Sequence, residues 1–180
     1  MDQLFAPWRI EWVERDDDER DIEGCPFCVL PEREDAREAR VVAETERAYV
    51  LLNNSPYNPG HSMVIPREHT GAYTALDEET LLAHARLTQR TMEALESAFD
   101  PDGVNAGLNL GGAAAGGSIA DHLHTHVVPR WRGDTNFMPV TAETKVIVQA
   151  VEDTYEQLRA GFLDQEGATA NDRGGVTLAF

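Results

Sequence analysis

Basic residues, cysteines and long apolar runs are all scarce in this chain. Fifteen Lys and Arg stand against 32 Asp and Glu, so the formal net charge at pH 7 is −17. Such a surface would repel a nucleic-acid backbone, which argues against a DNA- or RNA-binding protein. Lys145 is the only lysine, and acid spread along the whole chain is typical of a halophilic surface, adapted to high salt.

The small number of cysteines and the lack of long apolar runs indicate how the chain is stabilised and in which compartment it is expected to function. It has only two cysteines, and at 180 residues it can bury a core without disulfide bonds. It has no run of 18 apolar residues and no N-terminal signal of charge followed by an apolar stretch. We therefore expect a single domain over residues 1–180 that is soluble and cytoplasmic and does not enter a membrane.

Shifts in composition mark the two ends of the chain. The apolar and aromatic segment LFAPWRIEWV is followed by ERDDDERDIE, which predicts an N-terminal arm and an exposed acidic linker over residues 1–21. Residues 165–180 are polar until their end and are expected to form a partly mobile C-terminal tail.

Between these ends, strand patterns and helix patterns occupy separate segments. Val, Ile and Tyr enrichment or alternation predicts strands in ARVVAETERAYVLLNN, GHSMVIP, VNAGLNLGG and HLHTHVVPRW. A cap-like Asp77 precedes a helix with an acidic first turn, and AETKVIVQAVEDTYEQLRAGFL predicts a second helix. These elements predict an α+β fold in which two long helices pack on a largely antiparallel sheet.

Three of the six histidines alternate along one predicted strand: His122, His124 and His126. Side chains two apart in a strand lie on the same face, roughly 6 to 7 Å apart, so the three imidazoles should line one face. Alternating histidines suit either a metal site or a phosphate site, because neutral imidazole is both a good ligand and a nucleophile.

A loop of small residues, LGGAAAGGSIAD, precedes the histidines and contains Ser118. Backbone in such a loop can approach a ligand closely and turn its N–H groups toward an anion. The loop lacks the lysine of a P-loop, which excludes a Walker site. Beside the histidine strand, we interpret it as a phosphate cradle rather than a flexible surface loop.

Cys25 and Cys28 form one Cys-x-x-Cys pair. By itself this pair is compatible with a zinc site, a redox pair or two buried thiols. A redox pair would begin a helix in a thioredoxin-like unit, and EGCPFCVLPERED does not have that pattern. A structural zinc would need two further ligands from elsewhere in the chain.

The segment HLHTHVVPR resembles the His-x-His-x-His-x-x motif of the histidine triad family of nucleotide hydrolases and transferases. LLNNSPYNPGHSMVIPREHT is similar to the ribose-binding turn and following strand of that family, and CPFC to its zinc-binding variants. LFAPWR, HVVPRWRGDTNF and KVI resemble the branch that contains diadenosine tetraphosphate phosphorylases. The likeness covers roughly residues 4–165.

This resemblance implies roles for particular residues. His124 is the implied nucleophile, forming a nucleotidyl-histidine intermediate, and its Nε2 can attack if a backbone carbonyl holds Nδ1–H. His126 and Ser118 are implied to contact the phosphate or the leaving oxygen, with the backbone of Gly116 and Gly117 meeting the developing charge. The remaining implied substrate-site residues are Asn53, which would bind ribose, Asn109, Trp131 and His61.

The resemblance also implies the two missing zinc ligands. They are His69, in the turn after the second strand of the motif, and His122, the first histidine of the triad, which complete a structural Cys2His2 site with Cys25 and Cys28. His61 is expected to support the triad by hydrogen bonding rather than to bind metal. For three other side chains the sequence leaves two interpretations open: Trp131 shapes a pocket or packs, and Arg130 and Arg132 meet phosphates or pair with carboxylates.

The implied activity is cleavage of dinucleoside polyphosphates, preferably diadenosine tetraphosphate, at the α-phosphorus by a homodimer or higher oligomer. The acceptor is inorganic phosphate in a phosphorylase and water in a hydrolase, and the motifs do not encode this choice. Two alternatives are a nucleoside phosphoramidate hydrolase and a non-catalytic nucleotide-binding or scaffold protein. A redox protein using Cys25 and Cys28 is a further hypothesis from another class.

Overall fold

Residues 22–111, 114–115, 119–134 and 149–180 are described by the computed structural model. In chain order these parts contain α1 (Pro26–Val29), β1 (Val41–Glu44), β2 (Ala48–Leu52), β3 (Ser62–Pro66), α2 (Glu78–Phe99), β4 (Gly103–Leu108), β5 (Thr125–Arg130), α3 (Val151–Leu163), β6 (Ala168–Ala170) and β7 (Val176–Leu178), with short 3-10 turns at Leu30–Glu32 and Tyr73–Ala75. The predicted arm and linker over residues 1–21 lie outside the described residues. No helix of the described parts is long and apolar enough to cross a membrane.

The described strands form one sheet in the order β4-β5-β3-β2-β1-β7-β6. Neighbouring strands pair antiparallel except β1 and β7, which run parallel. The predicted α+β fold with a largely antiparallel sheet is therefore confirmed.

The central strands β2 and β3 are buried along their whole length and carry apolar residues on both faces. Val50 and Leu52 of β2 belong to the core beneath the long helices, whereas Tyr49 and Leu51 belong to a second core on the opposite face. This alternation follows from the two-residue period of a strand. The sheet is covered on both faces, and α1 packs on the face opposite the long helices through Phe27.

Helix α2 begins where the sequence predicts it. The Asp77 carboxylate accepts a hydrogen bond from the backbone N–H of Thr80 at 2.7 Å, and the helix ends at Asp100 in the left-handed conformation. His84, expected at the surface or in packing, is buried, and its Nε2 lies 3.2 Å from the carbonyl of Val64. The second predicted helix is observed as α3, and its predicted start at residue 142 falls outside the described residues.

The interpretation of residues 165–180 as a partly mobile tail is wrong. Strands β6 and β7 pair antiparallel, and β7 adds to the sheet beside β1. Val176 and Leu178 are buried in the core beneath the long helices, and the Tyr155 hydroxyl donates to the Val41 carbonyl at 3.0 Å near this edge. Alternate apolar residues in an otherwise polar segment are enough to add β7 to the sheet.

Candidate active site and metal centre

The histidine triad lies on the sheet face opposite the long helices. Strand β5 begins at Thr125, so His126 is within it while His122 and His124 come just before. Thr125 and Val127 point to the helix side, where the Thr125 hydroxyl lies 3.1 Å from His84. The rings of His124 and His126 have their centroids 5.0 Å apart. The imidazoles therefore share one face, as the alternation predicts.

His124 is held with one ring nitrogen ready to react. Its Nδ1 donates to the His122 carbonyl at 2.9 Å, and because a carbonyl only accepts, Nδ1 carries the hydrogen and Nε2 keeps its lone pair. The side chain is 7% exposed, and burial lowers its pKa although the bond to His122 acts in the opposite direction. A neutral imidazole with a lone pair at Nε2 is the form required of a nucleophile.

His126 is held in the opposite tautomer by a chain of hydrogen bonds. The backbone N–H of Tyr57 donates to His61 Nδ1 at 3.1 Å, so in a neutral His61 the hydrogen is on Nε2. That nitrogen lies 3.0 Å from His126 Nδ1 and donates to it. The hydrogen of His126 is consequently on Nε2, where it can be donated to an anionic oxygen. His61 thus supports the triad through a hydrogen bond, fully buried as it does so.

Two histidines side by side therefore present different groups. His124 offers a lone pair and His126 offers an N–H, from rings that lie edge to face. A nucleophile beside a fixed donor suits attack on a phosphorus atom whose oxygens gain charge in the transition state.

Cys25, Cys28, His69 and His122 bring one ligand atom each to a single cluster, with all four atoms within 4.8 Å of one another. The Sγ of Cys28 lies 3.2 Å from His69 Nδ1, and the Sγ of Cys25 lies 3.4 Å from His122 Nδ1. Tetrahedral zinc, with bonds of about 2.3 Å to sulfur and 2.0 Å to nitrogen, separates its ligands by about 3.5 Å. The cluster therefore has the composition and the spacing of a Cys2His2 zinc site.

The surroundings of the cluster also fit a cation. His122 donates from Nε2 to the Pro66 carbonyl at 2.8 Å, which leaves the Nδ1 lone pair facing the cysteines, and burial lowers its pKa. Burial raises the pKa of the Cys28 thiol, and the neighbouring Cys25 raises it further by hydrogen bonding and charge. A bound zinc ion would have the opposite effect on the pKa of Cys28, because it would stabilise both cysteine thiolates. The two free thiols face histidines, which favours metal binding over a redox role.

The metal cluster joins three segments that are distant in sequence. Cys25 is the N-cap of α1, which the Tyr49 hydroxyl holds to the sheet by donating to the Phe27 carbonyl at 2.6 Å. The turn after β3 reaches the triad segment where the Leu123 N–H donates to the Thr70 carbonyl at 2.7 Å. His122 contributes to both sites, because its ring belongs to the cluster that could hold a metal and its carbonyl orients His124.

Other predicted site residues have varied positions. Asn53 is half-buried and lies in the turn after β2. Its side-chain Oδ1 accepts a hydrogen bond from the backbone N–H of Ser55, and its backbone N–H donates to the His61 carbonyl. Asn109 and His126 line the same cavity. Trp131 follows β5, and its backbone N–H donates to Asp134. Gly116, Gly117 and Ser118, the predicted phosphate cradle, lie outside the described residues.

Sequence reasoning missed several residues that shape the site. The Phe27 ring contacts both His122 and His124, and Tyr57 stacks on His61. For Arg130 the sequence left two partners open, a substrate phosphate or a carboxylate. In the structure Arg130 forms a bidentate ion pair with the carboxylate of Asp134. The aromatic residue four positions before His61 is a usable signal, because it lies in the segment LLNNSPYNPGHSMVIPREHT that carries the family resemblance.

Known proteins resemble the chain in both sequence and structure. An AP-4-A phosphorylase of Mycobacterium tuberculosis is 40% identical over 162 residues, which cover 86% of this chain and 80% of that protein. A Zn-bound histidine triad family protein from Mycobacterium smegmatis matches with a TM-score of 0.60 and 30% identity over 77% of this chain and 93% of its own. A hypothetical histidine triad nucleotide-binding protein from Sulfolobus tokodaii matches with a TM-score of 0.62 and 28% identity, over 77% and 91% of the two chains.

The family model of the HIT domain matches residues 34–133, a range that includes the triad, the His61 turn and His69. This match covers more than half of the chain and agrees with the relatives above. The chain therefore belongs to the HIT domain family.

Proposed function

We propose that this enzyme cleaves dinucleoside polyphosphates, with diadenosine tetraphosphate as preferred substrate, at the α-phosphorus through a nucleotidyl intermediate on His124. The observation that carries the proposal is the pair of opposite tautomers at His124 and His126. The similarity to an AP-4-A phosphorylase supports the choice of substrate.

In the first step, the His124 Nε2 lone pair attacks the α-phosphorus and forms an N–P bond. The bond from the α-phosphorus to the bridging oxygen breaks, and ATP leaves with that electron pair. His126 Nε2–H donates to a phosphate oxygen as charge builds there. The His122 carbonyl, which accepts from Nδ1–H, supports the positive charge that His124 gains.

In the second step, an acceptor oxygen attacks the same phosphorus and the N–P bond breaks, which returns the lone pair to His124. Inorganic phosphate as acceptor yields ADP, and water yields AMP. We propose phosphate, on the strength of the 40% identity to a phosphorylase. Asn53 would bind the ribose, and Ser118 with the backbone of Gly116 and Gly117 would meet the phosphates.

Zinc would be held by Cys25, Cys28, His69 and His122 and would act as a structural cross-link. Because four protein ligands complete a tetrahedral site, no position is left for an activated water. The chain's contribution at this point is to hold the His122 backbone in place, and with it the ring of His124.

The test compares wild-type protein with His124→Ala on diadenosine tetraphosphate in high salt, with and without phosphate. We expect turnover to ADP and ATP only with phosphate from the wild type. When phosphate is withheld, we expect an adenylated protein by intact mass, with one ATP released per adenylated chain. The variant should give neither. AMP and ATP regardless of phosphate would make the enzyme a hydrolase. Nucleotide binding without turnover or adduct would overturn the proposal in favour of a binding module, whereas turnover of a nucleoside phosphoramidate alone would replace the substrate.

We also propose that the chain forms a homodimer through β4. This strand is at one edge of the sheet, and most of its residues are exposed, including Leu108. An unprotected edge strand with apolar side chains is a template for pairing with a second copy. Sedimentation equilibrium should give twice the chain mass. Ala106→Asp, which adds a negative charge to this strand in each copy, should shift the mass toward that of the monomer, and a monomeric wild type would contradict the proposal.

A further inference from the structure

His61 lies at the end of the turn that leads into β3, and its ring fixes the tautomer of His126. Backbone hydrogen bonds hold it at two points: its N–H donates to the Asn58 carbonyl, and its carbonyl accepts from the Asn53 N–H, both at 3.0 Å. A hydrogen bond weakens steeply when its distance or angle departs from the optimum, so a small shift of the turn would disturb the contact with His126. The groups that hold this turn therefore influence catalysis.

Apolar contacts hold the turn against helix α2 and strand β5. Gly60 is in the left-handed region with a φ of 84°, and a Cβ atom there would lie 2.9 Å from the Leu95 side chain and 3.1 Å from that of Pro129. The backbone therefore packs directly on these two residues, with no space for a side chain of its own. Because apolar packing is non-directional, it sets how close the turn lies to α2 but not how the turn is oriented.

The Asn58 side chain gives the turn its orientation. Its Nδ2 donates to the Pro129 carbonyl at 2.9 Å and to the Asp134 carboxylate at 2.8 Å. Both neighbours are oxygen atoms that only accept, so the amide must present its two hydrogens to them and cannot rotate by half a turn. Asn58 is thus tied through its side chain to the end of β5 and to Asp134, and through its backbone carbonyl to His61.

Asp134 is itself held as a fixed acceptor. Arg130 donates from Nε to one carboxylate oxygen at 2.6 Å and from Nη2 to the other at 2.8 Å, while the Trp131 N–H donates at 3.2 Å. The third nitrogen of Arg130 donates to the Asn105 side chain on β4 at 2.7 Å. The bonds from Arg130 and Trp131, together with that from Asn58, keep the pKa of Asp134 far below its ordinary value, against the effect of burial. A carboxylate paired in this bidentate way has little freedom to turn.

A continuous path of hydrogen bonds leads from Asp134 to the triad. Its carboxylate holds the Asn58 amide, the Asn58 carbonyl holds the His61 N–H, and the His61 ring donates to His126. We infer that Asp134 is a positioning residue of the proposed reaction: by orienting Asn58 it keeps His61 in place, and with it the N–H that His126 directs at the substrate phosphate. The inference rests on the proposed function and adds to it a residue that acts through others rather than on the reacting atoms.

Three variants and one control test this role. Asp134→Ala removes the acceptor, Asp134→Asn keeps one oxygen for the amide of Asn58, and Asn58→Ala removes that amide but leaves the ion pair of Asp134 intact. The matched control is Asp102→Ala, which removes the carboxylate just before β4, one that accepts from the Arg132 N–H at 2.6 Å. The measured quantities are kcat and KM for diadenosine tetraphosphate and the nitrogen NMR spectrum of the His126 ring.

We expect Asp134→Ala to lower kcat roughly tenfold or more, with a smaller change in KM, because a displaced donor weakens the transition state more than the bound substrate. The His126 ring should then show mixed tautomers, as it should not if Asp134 served only the stability of the fold. Asp134→Asn should recover part of the loss, and Asp102→Ala should match the wild type. Asn58→Ala should lose as much as Asp134→Ala, and the double variant no more than either, because both changes break the same path.

An unchanged kcat in Asp134→Ala, an unaltered His126 spectrum, or additive losses in the double variant would overturn the inference. If Asp134→Ala does not fold, Asn58→Ala decides, since it keeps the ion pair, and a wild-type kcat and spectrum in that variant would overturn the inference as well. Failure of the proposed function would look different, because the wild type would then turn over no dinucleotide while the tautomers of His126 still responded to the loss of Asp134.

Discussion

At the scale of single residues, neighbouring histidines of the same motif acquire different chemistry from the groups around them. His124 donates from Nδ1 to a carbonyl, while His126 accepts at Nδ1 from His61. The residue type alone does not distinguish a nucleophile from a donor, because a neutral imidazole can carry its hydrogen on either nitrogen. The partner of Nδ1 decides which role each ring takes.

Replacing His61 tests this assignment. His61→Leu removes the donor to His126 Nδ1, so we expect kcat to fall roughly 10- to 100-fold with a smaller change in KM, in line with a lost hydrogen bond to a group that faces charge. His61→Gln should retain more activity, because its amide can still donate. Nitrogen NMR of the ring of His126 should show protonated Nε2 in the wild type and mixed tautomers in His61→Leu; identical spectra would contradict the assignment.

His84 provides a test of stability rather than catalysis. Its ring is buried between the Val64 carbonyl and the Thr125 hydroxyl, and burial lowers its pKa below the ordinary value of 6.5. Between the folded and unfolded pKa values the unfolded chain binds more protons, so the free energy of unfolding falls as pH drops below 6.5. Urea unfolding across this range should show a weaker pH dependence for His84→Gln than for the wild type, and an equal dependence would contradict this origin.

At the scale of elements, the site depends on segments too short to hold their own shape. Helix α1 has four residues, and the turn that carries His69 follows β3 without regular structure until Tyr73. A few hydrogen bonds and the Cys2His2 cluster join them to the start of β5. We therefore expect metal binding to stabilise α1, this turn and the triad together.

Removal of a zinc ligand should have both structural and catalytic effects. Cys28→Ser should abolish binding of one zinc per chain and lower the melting temperature by roughly 10 °C or more, because structural zinc contributes several kcal/mol to folding. The kcat should fall as well, since the His122 carbonyl positions His124. Elemental analysis and calorimetry measure these effects, and Ser62→Ala, on the neighbouring β3, serves as a zinc-retaining control; an unchanged zinc content in Cys28→Ser would refute the ligand set.

At the scale of the whole molecule, a net charge of −17 surrounds a site that must admit a polyphosphate. The described residues place histidines and uncharged side chains, rather than carboxylates, around the catalytic rings. Local donors can attract an anion inside an acidic shell, but the distant carboxylates still repel it. Salt should weaken that repulsion.

The charge predicts how stability and catalysis respond to salt. The Debye length shortens from about 10 Å at 0.1 M to 3 Å at 1 M, so added NaCl should raise the melting temperature by screening carboxylate repulsion. Added NaCl should also raise kcat/KM for the polyphosphate substrate. At a site with basic surroundings, by contrast, salt would lower kcat/KM by screening the attraction. Thermal melts and initial rates across this range measure both, and a lower melting temperature at 1 M than at 0.1 M would contradict the prediction.

The sequence determined much of this protein by local rules. The period of two placed the histidines on one face, and Asp77 with its acidic first turn defined the start of α2. The motif HLHTHVVPR and the Cys-x-x-Cys pair indicated the family and the ligands that the structure brings together. These features are readable because each depends on residues within a few positions of one another.

The tertiary structure decided what depends on contacts between distant segments. It brings His61 to His126 across 65 positions and Tyr57 to the cavity beside β4, and it recruits residues 168–178 to the sheet instead of leaving a tail. Sequence patterns show which side chains are apolar or reactive, but the position of the hydrogen on each imidazole is set by neighbours that only the fold supplies.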